Sequence, residues 1–305
     1  MPELCVGDRC WPVPSGSNLL DALNGAGIPV PYSCRAGSCH ACLVRCLDGQ
    51  PDDALPEALV AEKREQGWRL ACQCRVIGDV RVAVFDPLSD GLPARVCGVE
   101  WLGAVLRLRL QPERPLRYQA GQHLLLWLGE VARPYSLASL PGEDPYLEFH
   151  LDCRQPGAFC DQARHLRVGD EIRLGELRGG ALHYDPDWQA RPLWLLAAGT
   201  GLAPLWGILR EALRQGHQGP IKVLHVAHEH YLAEALRMLA GEQVSVELVD
   251  SEGFEEALAG LRLSSRQTVA LVCGAPGRVE RIARRLFIAG VPRNQVLADV
   301  FSEHA

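Results

Sequence analysis

The chain has 305 residues, 48% of them hydrophobic, and a formal net charge of −6 from 31 basic and 37 acidic side chains. That length admits two or three domains. No run of about eighteen apolar residues predicts a membrane span, and mild acidity with scattered basic residues argues against a nucleic-acid partner. Met1–Asp8 is short and mixed in charge, unlike a secretory leader, so the reducing cytoplasm is the expected compartment.

Residues 1–87 form the first segment. Leu4–Cys10 and Trp11–Pro14 predict a short hairpin, and Ser17–Asn24 predicts a helix capped by Ser17. Gly25, Gly27 and Pro29 break that helix. Next comes Cys34-Arg35-Ala36-Gly37-Ser38-Cys39-His40-Ala41-Cys42, and far downstream Leu70-Ala71-Cys72-Gln73-Cys74. C-x4-C-x2-C with a distant fourth cysteine is the plant-type [2Fe–2S] spacing. Two irons bridged by sulfides need four thiolates converging on a small volume. A tight loop can supply three and aim its N–H groups at the sulfurs, and these hydrogen bonds help set the potential. Cys34, Cys39, Cys42 and Cys72 are the candidate ligands. Cys74 is a rival for the fourth, disfavoured by its spacing from Cys42. Zinc is disfavoured because only one C-x2-C pair occurs among the ligands. The chain has twelve cysteines but is too long for a disulfide mini-protein, so the others are expected to be buried thiols. Ala41–Leu47 and Gln73–Phe85 alternate as strands.

Asp86–Pro93 reads as a linker by composition. The second segment runs to about Asp187. Its apolar runs Val105–Leu110, His123–Leu128, Leu147–Leu151 and Glu171–Leu174 have the spacing of a small antiparallel barrel. Among them stands Arg133-Pro134-Tyr135-Ser136: a cation for phosphate, an aromatic wall for a flavin ring, and a small donor. Alternation puts Arg133 and Tyr135 on one side of a strand and Ser136 on the other. Alone, these residues fit a plain strand with a surface arginine better than a flavin site.

From residue 188 the pattern changes. Apolar runs Leu193–Ala198, Ile221–Ala227, Val244–Val249 and Val269–Cys273 alternate with helical stretches near Pro204–Arg214, Leu232–Ala240 and Arg278–Ala289. Strand–helix alternation predicts a parallel sheet covered on both faces, with ligands at the carboxyl ends of its strands. Gly199-Thr200-Gly201 and Cys273-Gly274-Ala275-Pro276 both follow a strand and precede a helix. Either can be a plain tight corner, or a place where a pyrophosphate approaches backbone N–H groups.

The first segment resembles plant-type ferredoxin domains through LLDALNGAGIPVPYSCRAGSCHACLV and WRLACQC. His40 stands where many such domains have glycine; it is expected to tune or shield the cluster, or to face solvent, rather than to ligate. With RPYSLAS, AAGTGLAP, VCGAPGRVERIARRLFIAGV and ADVF following in order, nearly the whole chain resembles the ferredoxin–NADP+ reductase superfamily, and more narrowly the reductase components of bacterial aromatic-ring and related oxygenases. That resemblance implies a multidomain α+β and α/β chain: a β-grasp ferredoxin domain over 1–87, an antiparallel β-barrel FAD domain over 94–187, and a parallel-sheet α/β NAD domain over 188–305. It implies that Arg133, Tyr135 and Ser136 bind FAD, that Gly157 and Cys160 replace a Gly-x-x-Ser pyrophosphate site, and that Gly199, Thr200, Gly201, Cys273 and Gly274 hold the nucleotide. Thr200 and Cys273 border the nicotinamide, Ser136 and Cys273 are the candidate catalytic positions, and Phe301 is the aromatic residue that approaches the flavin. Leu177-Arg178-Gly179-Gly180 departs from the usual Gly-Pro-x-Gly, and the Cys160 thiol is a weaker donor than a hydroxyl.

The implied activity is electron transfer by a monomer, from NADH through FAD and the [2Fe–2S] cluster to an oxygenase component or a separate ferredoxin. A reductase for a non-oxygenase partner such as a sugar dehydratase, and a non-enzymatic redox carrier or sensor, are the rival readings. NADH is expected over NADPH because His228-Glu229-His230 and Asp250-Ser251-Glu252, after the second and third strands of the last domain, contain no Lys or Arg for a 2′-phosphate. Histidine protonation is expected to weaken that preference as pH falls.

Overall fold

The computed structural model describes residues 1–179 and 181–301. Gly180 and the four residues after Phe301 lie outside the described residues. Contacts gather the chain into two compact units: Met1–Pro93 with Leu125–Pro134 and Ile172–Glu176, and Ala94–Leu124 with Tyr135–Glu171 and Leu177–Ala305.

The first unit carries a five-stranded sheet, in the order Arg9–Pro12, Glu3–Val6, Val80–Val84, Leu43–Asp48, Trp68–Leu70. Glu3–Val6 runs antiparallel to Arg9–Pro12 and parallel to Val80–Val84. Helix Leu19–Gly25 lays Leu19, Leu20 and Leu23 into a core with Trp68, Leu70 and Val82; these apolar positions fall on one helical face. The strands His123–Leu128 and Val131–Ser136 are neighbours, with Glu171–Arg178 beside the former. Trp127 stacks on Phe85 with ring centroids 5.3 Å apart.

Several sequence expectations need correction here. The hairpin turns at Gly7, whose φ of 57° favours a residue without a Cβ, and its second strand is Arg9–Pro12 rather than Trp11–Pro14. That register sets Cys5 opposite Cys10, and the two form a disulfide with Cα atoms 4.1 Å apart, so they are not buried free thiols. The helix cap is Asn18, whose side chain accepts from the Asp21 N–H at 3.2 Å, while the Ser17 hydroxyl donates to the Pro14 carbonyl. Gln73–Phe85 is two strands, Cys74–Val76 and Val80–Val84, broken at an exposed turn. The apparent linker contains a helical turn, Pro87–Asp90, capped by Asp86, and at Leu92 it enters the strand Leu92–Leu102. Composition hid that strand because Pro93, tolerated near a strand start, reads as a breaker.

In the second unit, Leu92–Leu102 and Leu147–Asp152 both pair antiparallel with Val105–Pro112. A five-stranded sheet has the order Val244–Val249, Ile221–Val226, Leu193–Ala198, Val269–Gly274, Val296–Val300, and all four pairings are parallel. Leu193, Leu195 and Ala197 enter one core, Trp194 and Leu196 the other. Both faces are therefore buried, as continuous apolar strands require. Helix Phe254–Gly260 and strand Val296–Val300 were not expected from the sequence; both are short and only partly apolar.

Glu148 and His150 are buried on the strand Leu147–Asp152. The Glu148 carboxylate accepts from Arg109 Nε at 2.7 Å and from His150 Nε2 at 3.1 Å, and His150 Nδ1 faces the Tyr231 hydroxyl at 3.1 Å. Burial alone would raise the Glu148 pKa, but the His150 and Arg109 contacts outweigh it and hold the group down to about 2, against an ordinary 4.5. A carboxylate depressed on folding contributes stability that is complete above its unfolded value and is lost as pH falls through its folded one. Stability should therefore decline from about pH 4.5 towards pH 2. In Glu148→Gln the decline should flatten. Denaturant midpoints measured across that window check this, and an unchanged acid limb in the variant would contradict it.

Candidate functional site

The cysteine segment folds as turns in which Arg35 (φ 51°), Gly37 (φ 81°) and His40 (φ 56°) take left-handed conformations. A Cβ on Gly37 would meet Leu55 at 2.8 Å. This winding aims backbone N–H groups at sulfur: Ala36 and Cys39 each donate to Cys34 Sγ at 3.3 Å, and Cys34 donates to Cys39 Sγ at 3.4 Å. The four thiols fall into two hydrogen-bonded pairs, Cys34 with Cys39 and Cys42 with Cys72. The Cys39 thiol, helped by Ser38 and backbone N–H groups, lowers Cys34 to about 4 against the effect of burial. Cys72 is lowered to about 6, chiefly by Cys42 and also by Gln73. Their partners Cys39 and Cys42 are pushed up, first by those same pairings and then by burial.

Among the described residues no set of three or more His, Cys, Asp or Glu closes on a single ion. Two thiol pairs ringed by N–H donors instead suit a cluster of two irons. Cys74 lies apart, fully buried in the hydrophobic core, where burial pushes its thiol up. Asn18 Nδ2 holds the Cys72 carbonyl at 2.9 Å. His40 does not face solvent: it is 2% exposed, and its Nδ1 lies 3.1 Å from Glu176, which also pairs with Lys63 at 3.1 Å. Cys39 and Ala41 pack on Leu125, Trp127 and Ala132, so apolar side chains shield this loop.

Arg133, Tyr135 and Ser136 lie on the strand Val131–Ser136; the first two are half-buried and Ser136 is buried. Arg133 Nη1 donates to the Ala132 carbonyl at 2.8 Å. The Tyr135 ring stands 5.1 Å from Phe159, one residue from Cys160 on the helix Ala158–Ala163 that Gly157 precedes. Cys160 touches Cys153, which lowers it to about 7 with help from Arg164 and Tyr135, and donates to the Asp152 carbonyl at 3.4 Å. Tyr135 and Cys160 are thus brought together.

At the carboxyl ends of the parallel strands, a cavity of about 260 Å³ is lined by Gly199, Thr200 and Phe301, with Val226, Ala227 and Ser251. It opens beside the strand Leu193–Ala198, where successive connections leave in opposite directions, the place where open α/β sheets bind ligands. Gly201, Cys273 and Gly274 are not in its lining; they are the backbone beneath it. A Cβ on Gly201 would stand 2.2 Å from the Cys273 carbonyl oxygen, and one on Gly274 (φ 143°) 2.6 Å from that of Ala198. The Phe301 N–H donates to the Gly274 carbonyl at 2.9 Å. The Cys273 thiol is fully buried in the core, and burial raises its pKa well above the ordinary range.

Sequence reasoning missed His225. Its Nε2–H donates to the Gly199 carbonyl at 3.0 Å, and its Nδ1 accepts from His230 Nδ1 at 3.2 Å. Burial holds it down to about 4, so the ring is neutral at pH 7. The available signal was a polar residue inside the apolar run Ile221–Ala227. Carboxylates in both acidic loops are engaged by backbone N–H groups. Glu229 accepts from the Ala104 N–H at 3.1 Å, Asp250 accepts from Glu252 and Gly253 within its own turn, and His230 is engaged with His225.

Two thiol pairs suited to a two-iron cluster and a crevice at the carboxyl ends of a parallel sheet, on one chain, fit the class of iron–sulfur flavin reductases. Residues 7–76 match the 2Fe-2S iron-sulfur cluster binding domain family. The chain is 31% identical over 320 residues, 96% of each protein, to the ferredoxin–NAD(P)+ reductase component of the naphthalene 1,2-dioxygenase system of Pseudomonas putida. It is 34% identical to the reductase subunit of an aromatic O-demethylase of Amycolatopsis, over 72% of this chain and 70% of that one. The crystal structure of the Amycolatopsis cytochrome P450 reductase GcoB superposes over 99% of both chains with a TM-score of 0.64 and 26% identity. The protein belongs to the family of iron–sulfur ferredoxin–NAD(P)+ reductase components. Its cofactors are accordingly a [2Fe–2S] cluster, FAD and NAD(P)H.

Gly201→Ala should displace the Gly199–Gly201 turn, because the new methyl would meet backbone rather than a yielding side chain. The expected cost is about 1–3 kcal/mol, with weakened nucleotide binding. Thermal melts and NADH titration check this; a variant matching the wild type in both would contradict the close approach.

Proposed function

We propose that this chain is an NADH-dependent reductase that supplies single electrons to an oxygenase component or to that system's ferredoxin. The observation that carries this reading is the occurrence on one chain of two thiol pairs and a crevice at the carboxyl ends of a parallel sheet. Support for the acceptor comes from the whole-length relative of the naphthalene dioxygenase system. When bound, flavin and cluster together split a two-electron delivery into one-electron steps, which is why both belong in one reductase. The domain division 1–87, 94–187 and 188–305, with β-grasp topology in the first and a closed barrel in the second, belongs to this proposal.

Cys34 and Cys39 would hold one iron and Cys42 and Cys72 the other, with the Ala36 and Cys39 N–H groups and Gln73 donating to sulfur. Arg133 would meet the flavin phosphate, Tyr135 the ring face and Ser136 the ring edge. Gly157 and Cys160 would approach the pyrophosphate, the thiol donating where a hydroxyl would donate more strongly. The turn Gly199-Thr200-Gly201, held by His225 and resting on Cys273 and Gly274, would carry the nicotinamide end, with Phe301 on the same cavity. No acid–base residue is required; these side chains bind, orient and exclude water.

Purified protein should contain about two irons, two acid-labile sulfides and one FAD per chain. Cys72→Ser should lose the cluster spectrum yet still pass electrons from NADH to a flavin-level dye, whereas Cys74→Ser should keep the cluster. A reversed pattern, or one zinc without labile sulfide, would sink the ligand assignment.

NADH should be preferred over NADPH, since neither His228–His230 nor Asp250–Glu252 offers Lys or Arg. The pH dependence expected from histidine loses one contributor, because His230 is partly buried, lowered by burial and hydrogen-bonded to His225. Steady-state kcat/KM for both nucleotides at pH 8 tests the preference; equal values, or a higher one for NADPH, would refute it.

A further inference from the structure

Three charged side chains line the dinucleotide cavity: Asp152, Arg154 and Arg278. The first two neutralise each other, with Arg154 Nη2 2.8 Å from Asp152 Oδ2. Arg278 has no carboxylate partner among the described residues. Its guanidinium carbon lies 4.3 Å from the ring centroid of Phe254, a residue only 1% exposed. Arg281, one turn further on, lies 5.1 Å from the same ring but is paired with Glu255. Of the two arginines on this aromatic face, the one that reaches the cavity is therefore the one with no carboxylate partner among the described residues. A guanidinium held over an aromatic face keeps N–H donors for a second partner.

The neighbourhood suits an anion. Arg278 is the third residue of the 14-residue helix Pro276–Ala289, whose first-turn N–H groups and dipole favour negative charge. Gly199, Ala227 and Ala275 line the cavity with little side-chain bulk, and Ser251 adds a hydroxyl. Asp250 and Glu252, which would repel an anion, are not in the lining.

We propose that Arg278 is the cation that holds a phosphate of the bound dinucleotide. This rests on reading the cavity as the NAD(P)H site. It supplies from the first turn of a helix the positive charge that the two strand-following loops lack. The phosphate has two sources: the pyrophosphate common to both nucleotides, or the 2′-phosphate present only in NADPH.

The experiment compares wild type with Arg278→Ala, Arg278→Met, which keeps an apolar stem against Phe254, and Arg278→Lys, which keeps the charge. Calorimetric titration with 5′-ADP and with 2′-AMP reads binding without flavin turnover. Steady-state reduction of a dye by NADH and by NADPH reads KM and kcat separately. Loss of a charge-assisted hydrogen bond should weaken 5′-ADP about tenfold or more in the Ala and Met variants. Lysine should restore part of that loss, and the loss in turnover should fall on KM rather than kcat for both nucleotides. Weakening confined to 2′-AMP and NADPH would assign the same cation to the 2′-phosphate. Unchanged affinity for both probes in correctly folded Ala and Met variants overturns the proposal. A wild type that binds neither probe and oxidises neither nucleotide instead overturns the dinucleotide reading beneath it.

Discussion

A four-thiolate site built from two separate stretches of chain must first hold those stretches in register. Gln73 does much of this. Its Nε2 reaches the Arg35 carbonyl at 3.0 Å, inside the three-cysteine loop, and also the Cys72 sulfur at 3.3 Å. Asn18 completes the tie by holding the Cys72 carbonyl while capping the helix Leu19–Gly25. One side chain thus starts the helix that fills the core and fixes the segment bearing the fourth thiol. Exposed surface hydrogen bonds would be worth little, but donors aimed at developing thiolate charge in a shielded loop are strengthened by the low local dielectric. Of the four candidate ligands, Cys34 and Cys72 are the two lowered below their ordinary range; Cys34 Sγ accepts from the Ala36 and Cys39 N–H groups and Cys72 Sγ from Gln73. The first unit is organised around that coincidence.

The parallel sheet solves a different problem, bringing backbone close to a ligand without exposing its core. Both sheet faces are buried, so only the strand ends are available. Gly201 rests against the Cys273 carbonyl and Gly274 against that of Ala198, two reciprocal contacts that lock adjacent strand ends together. His225 then takes up the Gly199 carbonyl, leaving the Gly199–Thr200 surface to the cavity. A neutral ring is essential to this arrangement. Its Nε2 must donate to a carbonyl while its Nδ1 accepts from His230, and a second proton would remove the acceptor.

Much of this was legible in the sequence, for reasons that vary by element. The cysteine loop was readable because cluster chemistry demands a particular spacing, and spacing pointed to Cys72, which pairs with Cys42, over Cys74, which lies in the core. The parallel strands were readable because burial on both faces forces continuous apolar runs. The strand Leu92–Leu102 was not readable: only alternate residues along part of it are buried, and Pro93 masks its start. The cap was misassigned between two adjacent good cap residues, Ser17 and Asn18, because only the backbone trajectory decides which side chain reaches the first turn. The Cys5–Cys10 disulfide depended on a one-residue hairpin register, which pattern does not fix when both faces are mixed. The acidic loops were located correctly, but composition could not reveal that Glu229 and Asp250 answer to backbone N–H groups. Arg278 escaped notice because it reaches the cavity from a helix rather than from the loops where a phosphate-binding cation is expected.

The two positions singled out for chemistry, Ser136 and Cys273, are both buried. Cys273 has its thiol enclosed by leucine and valine side chains, and burial pushes it far from ionising. A nucleophile or acid would need the opposite environment, a partly exposed and electropositive one. A lowered thiol occurs elsewhere, at Cys160, brought to about 7 chiefly by its hydrogen bond with Cys153 and further by Arg164. The contrast fits a protein whose chemistry belongs to its cofactors. The Cys273 thiol lies outside the cavity lining, and this residue bears on the cavity through the backbone carbonyl on which Gly201 rests. What the side chains around the cavity control is placement: Gly199 and Thr200 through His225, Phe301 through the Gly274 carbonyl, and the dinucleotide's charge through Arg278. Tuning such a site therefore means moving backbone or a fixed charge, not changing an acid or a base.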